Sequence, residues 1–286
     1  MKTLFDLGVP AIAFLVLLGV GLDLAPADFA RVRRQPRVVA VGLVGPLLVL
    51  PPLALLLVVL FAPSADLQTG LLLVAACPIG GISTTYSYLA GASTALSISL
   101  TASSSLLAVV TIPILGRVFG AVLGQGMGLT APLPLIVAQL LLMLALPVSL
   151  GMWARFRHPA LALRSQRYLK AVGFGGLAAL LLAIVASDIV LFVNGLRSTV
   201  PLAAMFVAAS FVAGWLVGGA AGTSPQDRFT LATEFATRNV AVAASIAVTL
   251  AGRVEFAVFA MTYFLTELPL MLAAIAVFRR SQRASA

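Results

Sequence analysis

The chain has 286 residues, 61% of them hydrophobic and only 9% charged, with a mean hydropathy of +1.12. A soluble domain carries about a quarter charged residues and a disordered chain must stay solvated, so both classes are excluded. The net charge of +9 is scattered singly between apolar runs, which argues for membrane topology over a nucleic-acid surface, and one cysteine (Cys77) with one histidine (His158) can build neither a disulfide framework nor a four-ligand zinc site.

Apolar runs near the ~20 residues of a helical pass recur in chain order: Val9 to Leu22, Val38 to Phe61, Leu67 to Ala90, Thr94 to Phe119, Leu133 to Trp153, Val172 to Val193, Val200 to Gly219, Phe229 to Ala251 and Phe256 to Phe278. Because backbone groups in lipid must bond internally, runs of this length predict helices rather than barrel strands. The expectation is an all-α polytopic membrane protein with about nine transmembrane helices, forming a single domain over 1–286. Lys2, the first run and Ala25-Pro26-Ala27 imitate a cleavable signal, but cleavage there would leave Arg31, Arg33, Arg34 and Arg37 outside. The segment therefore reads as a retained helix. Those arginines, the basic connection Arg155 to Lys170, Arg228 and the cluster Arg279 to Arg283 fall on one side, which the positive-inside rule makes cytoplasmic. The reading is an inner-membrane protein with its N-terminus outside and its C-terminus in the cytoplasm.

Two spans differ from the rest. The third is interrupted by Pro78 and Gly80-Gly81 and continues into the hydroxyl-rich run Ser83 to Tyr88, and the eighth carries Thr233, Glu234, Thr237, Arg238 and Asn239 at mid-membrane depth. They sit five helices apart, and a repeat with an odd number of helices must invert, as in transporters whose sites lie between paired discontinuous segments. A four-helix repeat over 1–119, short of its first helix, and a five-helix repeat over 131–280 follow.

A carboxylate and a guanidinium at the bilayer centre each cost about 2.5–3.5 kcal/mol on insertion scales. Glu234 and Arg238, four residues apart, would share a face and pair if their helix is continuous, either to hold the bundle together or as part of a site. Ser83, Thr84, Ser97 and Thr101 also lie within spans, and hydroxyl and carboxylate oxygens are the hard ligands a small cation selects. The break at Pro78 to Gly81 would expose helix-terminal N–H groups that can hold an anion. Glu267, before Leu268-Pro269, could relay a proton, join the ion site or be structural, while Asp188 near a span end reaches toward headgroups and His158 is solvated.

The stretch Cys77-Pro78-Ile79-Gly80-Gly81-Ile82-Ser83-Thr84, with Tyr88-Leu89-Ala90, Ala95-Leu96-Ser97 and Thr101, resembles the fourth and fifth helices of the bile acid:sodium symporter family. Glu234-Phe235-Ala236-Thr237-Arg238-Asn239 resembles its ninth helix, and the run from Gly19 through Asp28-Phe29 to Arg37 its early helix and first turn. The resemblance implies a panel domain and a core domain, two discontinuous helices crossing in the core, and sodium-driven alternating access for an organic anion. It implies sodium ligands at Ser83, Thr84, Ser97, Thr101 and Glu234, and substrate contacts at Gly81 and Asn239. It also places Pro46 and Arg238 where the family's second sodium site has glutamines.

A guanidinium offers only donors and is always charged, so Arg238 cannot ligate a cation and would repel one. The expected function is a secondary active transporter of a small organic anion, with at most one sodium bound, Arg238 occupying the second ion's place in a tether to Glu234 or else clamping the substrate carboxylate. A sodium-independent or proton-coupled carrier is the alternative; an intramembrane enzyme or a channel is the different-class alternative, and no Ser-His pair or activated nucleophile supports the enzyme. The implied partners are the anion and the lipid bilayer, with no nucleic acid.

Overall fold

A computed structural model describes residues 2–23, 35–61, 63–124, 133–187 and 189–285. Arg31, Arg33, Arg34, Asp188 and the Ala25 to Phe29 stretch lie outside the described residues. The described residues form helices joined by short connections, in the order α1 (Lys2–Asp23), α2 (Pro36–Phe61), α3 (Ala65–Ala76), α4 (Ile82–Ala90), α5 (Thr94–Leu123), α6 (Leu133–Leu140), a π turn (Leu141–Ala145), α7 (Leu146–Arg157), α8 (Pro159–Ser187), α9 (Ile189–Ala220), α10 (Pro225–Ala236), α11 (Val240–Thr249) and α12 (Val254–Ser285). Among the described residues, five helical stretches are long and apolar enough to cross a bilayer: Pro36–Phe61, Thr94–Leu123, Pro134–Arg157, Leu196–Ala220 and Phe256–Ala284. Only 28–44% of each of their apolar windows is buried, and residues such as Leu48, Val59 and Leu216 point outward. That leaves an apolar exterior suited to lipid tails.

Two connections read from hydropathy are helical. The basic stretch Ala154 to Leu169 is helix on both sides of His158, and α8 starts at Pro159, a residue whose fixed φ suits a first helical position. Hydropathy registers only the part of a helix inside hydrocarbon, so Arg164, Arg167 and Lys170 read as a loop. The expected turn between Val193 and Val200 is likewise part of α9. Gly195 costs about 1 kcal/mol relative to alanine in a helix, less than leaving backbone groups unbonded.

The helices pack in two groups. In one, α1 lies against α7 and α8; in the other, α9 packs on α2, α10 and α12, while α3 and α4 pack on α12; α1 also packs on α11 and so joins the two. In the second group Phe278 stacks on Phe229 at 4.4 Å and meets Trp215 edge-on at 6.4 Å, and the Arg228 guanidinium lies 4.3 Å from the Trp215 ring centre.

Inside the second group two helices are broken and cross. Pro78 disfavours helical backbone at the preceding residue, and Cys77 is accordingly extended (φ −67°, ψ 154°), ending α3. The other break has neither proline nor glycine. Thr237 turns extended (φ −100°, ψ 111°), and Asn239 restarts the chain as the N-cap of α11, its Oδ1 accepting from the Val242 N–H at 3.2 Å. The two extended segments pair as an antiparallel bridge between Ile79 and Arg238. Gly80 N–H donates to the Thr237 carbonyl at 3.1 Å and Asn239 N–H to the Pro78 carbonyl at 2.9 Å. Each break thus supplies the partners the other lacks, as buried backbone groups require.

This crossing fixes the residue at position 80. A Cβ there would lie 2.7 Å from the Arg238 carbonyl oxygen and 3.0 Å from its carbon, and backbone atoms held in a bridge cannot yield. Gly80→Ala is expected to destabilise the protein by about 3 kcal/mol, the upper end for overpacking. The check is a lowered melting temperature of the detergent-solubilised variant.

Candidate functional site at the crossing of two broken helices

The C-terminal ends of α3 and α10 and the N-terminal ends of α4 and α11 meet at the bridge. Carbonyls and N–H groups left unpaired at helix ends carry partial charge, so the crossing offers negative poles to a cation and positive poles to an anion. The polar residues singled out in the sequence gather around it.

On one side, Glu234 from the last turn of α10 is fully buried. Its carboxylate accepts from Ser97 Oγ at 2.5 Å and from Thr101 Oγ1 at 3.4 Å, both on α5. Ser83 Oγ, in the first turn of α4, lies 3.3 Å from both Ser97 Oγ and Thr101 Oγ1, and Thr84 Oγ1 lies 3.1 Å from Ser97 Oγ. All five residues assigned to a cation site by the sequence are therefore contiguous: four hydroxyls around one carboxylate, drawn from three helices. The donor set is oxygen throughout, as a small hard cation requires. Helical spacing of Ser97 and Thr101 aims both at α10, and the break lets α4 start beside them.

Arg238 corrects one expectation. The helix is not continuous through it, so the pairing that a four-residue spacing implied does not form. Its guanidinium, in a side chain only 4% exposed, donates to the carbonyls of Cys77 and Glu234, the latter at 3.4 Å, and not to the Glu234 carboxylate. These carbonyls belong to the ends of α3 and α10, so one positive charge sits at two negative helix poles. Arg238 also lines a cavity of ≈ 20 Å³, with Pro46, Cys77, Ile79, Ser104 and Thr111 among its walls, room for about one water. The Nε of Arg238 has no hydrogen-bond partner among the described residues.

Gly81 and Asn239 stand at the restarts of α4 and α11. A Cβ on Gly81 would meet Val20 of α1 at 3.0 Å, so this position faces the other helix group. Asn239 is 3% exposed, with its Nδ2 unpartnered among the described residues. Ser104 braces the crossing: it accepts from the Ile79 N–H at 3.1 Å and donates to the Thr101 carbonyl at 2.9 Å.

A further cluster was not foreseen as a unit. Glu267 of α12 is completely buried, the hydroxyls of Thr237 and Tyr86 flank its carboxylate, and all four of these oxygens lack a hydrogen-bond partner among the described residues. Tyr263, one turn before Glu267, donates its hydroxyl to the Ala236 carbonyl. Residues from α4, the second break and α12 are distant in sequence, so only the lone mid-span carboxylate pointed to this place.

The family model described as the Sodium Bile acid symporter family matches residues 10–198, a stretch that contains the first break and the hydroxyls of α4 and α5 but not Glu234, Arg238 or Asn239. Among curated proteins, the probable sodium/metabolite cotransporter BASS2, chloroplastic, of Oryza sativa subsp. japonica is 32% identical over 214 residues, covering 74% of this chain and 49% of that protein. The uncharacterized sodium-dependent transporter YocS of Bacillus subtilis is 34% identical over 105 residues, 37% of this chain and 33% of its own length. The P3 protein of Homo sapiens is 29% identical over 126 residues, 44% of this chain and 26% of its own length. The matches span half or less of the length of each of these relatives.

Proposed function

The chain belongs to the Sodium Bile acid symporter family, and from that membership we propose that it is a secondary active transporter that carries a small organic anion across a membrane with sodium. The observation that supports this most directly is the buried Glu234 carboxylate enclosed by the hydroxyls of Ser97, Thr101, Ser83 and Thr84. A permanently paired structural carboxylate would be matched by a cation of the protein; this one has hydroxyls alone, which can turn their lone pairs toward sodium. Those five residues hold the ion in the proposed cycle.

Arg238 takes the place of the family's second sodium. Its guanidinium already occupies two helix-end carbonyls, the kind of group that coordinates sodium where transporter helices are interrupted. The anion binds opposite, at the positive ends of α4 and α11, with Gly81 and Asn239 in contact. Alternating access moves the α1, α7 and α8 group, as a panel, against the crossing, as a core. The inverted repeats, an inner-membrane location and a cytoplasmic C-terminus complete the reading, the last supported by the basic end of α12 (Arg279, Arg280, Arg283).

A second reading is favoured by one observation, the unpartnered Arg238 Nε at the cavity wall. There the guanidinium would clamp the substrate carboxylate. The Arg238→Gln experiment argued in the Discussion separates the two.

The direct test is uptake by proteoliposomes of a panel of small carboxylates, with and without an inward sodium gradient. A symporter saturates and concentrates its substrate against a gradient; equal flux with and without sodium overturns the sodium reading, and non-saturating conduction overturns the transporter. Within this assay Ser97→Ala is expected to raise the half-saturating sodium concentration roughly tenfold to a hundredfold, since a hydrogen-bonding group facing a charge contributes about 1.5–3 kcal/mol.

A further inference from the structure

We propose that Glu267, Tyr86 and Thr237 form a second sodium site, separate from the Glu234 cluster and not among the sites that the family resemblance supplies. It rests on the sodium-coupled reading above and raises the ion count from the single sodium read from the sequence to two.

Geometry comes first. The Thr237 and Tyr86 hydroxyls lie close enough to the Glu267 carboxylate to interact with it, but no hydrogen bond of good geometry joins them, and each of the four oxygens is unpartnered among the described residues. Hydroxyls that served only to solvate a carboxylate would close to about 2.5–3.0 Å. Carried on three separate elements, the four buried oxygens converge without satisfying one another, an arrangement that a bound ion would complete. The residues are 0%, 2% and 0% exposed for Glu267, Tyr86 and Thr237, so bulk water does not supply the missing partners. Every donor atom is a hard oxygen, and neither nitrogen nor sulfur is offered, as suits an alkali or alkaline-earth cation.

Charge selects a monovalent ion. The buried carboxyl and guanidinium groups at the crossing are Glu234, Glu267 and Arg238; with both carboxyls ionised in the loaded carrier, they set two negative charges against one positive. Arg238 is committed to the carbonyls of Cys77 and Glu234 and faces Glu267 only at longer range. A single sodium at Glu234 together with a monocarboxylate substrate still leaves one negative charge buried without a counterion, which is strongly unfavourable. One more monovalent cation, at Glu267, makes the loaded carrier neutral. A divalent ion would overshoot that balance and seeks six or more oxygens. The position is also suited to coupling: Thr237 belongs to the crossing and Tyr86 to α4, so an ion at Glu267 ties α12 to both broken helices.

The experiment is a sodium titration of the melting curve of purified protein, with choline replacing sodium at constant ionic strength and pH. Each ion bound only by the folded state raises the apparent folding constant about tenfold per tenfold rise in sodium above its Kd. Wild type is expected to respond as a two-ion protein, Glu267→Gln and Glu234→Gln each as a one-ion protein, and the double variant not at all. Tyr86→Phe and Thr237→Val, which keep the carboxylate, are expected to move the half-saturating sodium concentration of one ion upward, and they carry the test if Glu267→Gln does not fold. A wild-type sodium response in Glu267→Gln, with one ion lost in Glu234→Gln, overturns this site and leaves the transporter reading standing. Loss of a pH dependence in Glu267→Gln with an unchanged sodium response also overturns it, since a proton would then be the neutralising charge. No sodium response in wild type overturns the sodium reading itself.

Discussion

Glu234→Gln is expected to abolish sodium-driven uptake while leaving a folded protein. Glutamine keeps the shape of glutamate and one carbonyl acceptor for Ser97 or Thr101, so the packing between α5 and α10 survives. What disappears is the charge. Two unit charges 4 Å apart interact by about 4 kcal/mol at an effective dielectric of 20, so sodium affinity at this site falls roughly a thousandfold. Stability in sodium-free buffer should hold or rise, because a desolvated carboxylate without a counterion is itself unfavourable. The decisive measurement pairs uptake with melting temperature in sodium-free and sodium-containing buffer. A variant that melts lower in both has lost a structural tie, and the ion-site assignment fails with it.

That separation matters because Ser83, Thr84, Ser97 and Thr101 could each have been ordinary helix-interior hydroxyls bonded to their own backbone. Ser99 and Ser105 of α5 are of that kind, donating to the carbonyls of Ala95 and Thr101 at 2.9 and 2.8 Å. Register separates Ser99 from Ser97 and Thr101, but Ser105 continues the same four-residue repeat and is set apart only by its bond to the Thr101 carbonyl. The sequence also marks the first break, since proline and paired glycines stop a helix wherever they occur. The second break was hidden, because nothing local in Ala236-Thr237-Arg238-Asn239 forbids a helix. Tertiary pairing with Ile79 and Gly80 opens it, and only the asparagine N-cap hints at a restart. The Glu234–Arg238 side-chain pair was expected for a continuous helix, and the break at Thr237 removes that condition. Helix ends outside hydrocarbon, such as the start of α8, were lost for a different reason: hydropathy measures the solvent a residue suits, not its backbone geometry. The Tyr86, Thr237 and Glu267 group illustrates the remaining gap, since long-range convergence is a property of packing.

Replacing Arg238 by glutamine is expected to add sodium binding. With the guanidinium gone, the carbonyls of Cys77 and Glu234 lose their donor and again face one another across the crossing, now with a glutamine oxygen beside them. Removing a like charge about 4 Å away relieves roughly 4 kcal/mol of repulsion, so one further ion should appear in the sodium dependence of the melting curve. In sodium-free buffer the same variant should be less stable by about 1–3 kcal/mol, the penalty for leaving buried acceptors unsatisfied. Sodium should reverse that loss in the variant, because the ion takes over the two carbonyls. Pro46, which offers no side-chain oxygen at the cavity wall, limits the affinity regained, and Pro46→Gln combined with Arg238→Gln should raise it further. If the guanidinium instead holds the substrate, the outcome inverts. The sodium dependence stays as in wild type, and loss of a bidentate carboxylate contact, a charge-assisted pair about twice as strong as a neutral one, weakens the anion without changing the ion count. Lysine at 238 separates the cases once more: a point charge still fills a cation's place but cannot form the two parallel bonds of a guanidinium.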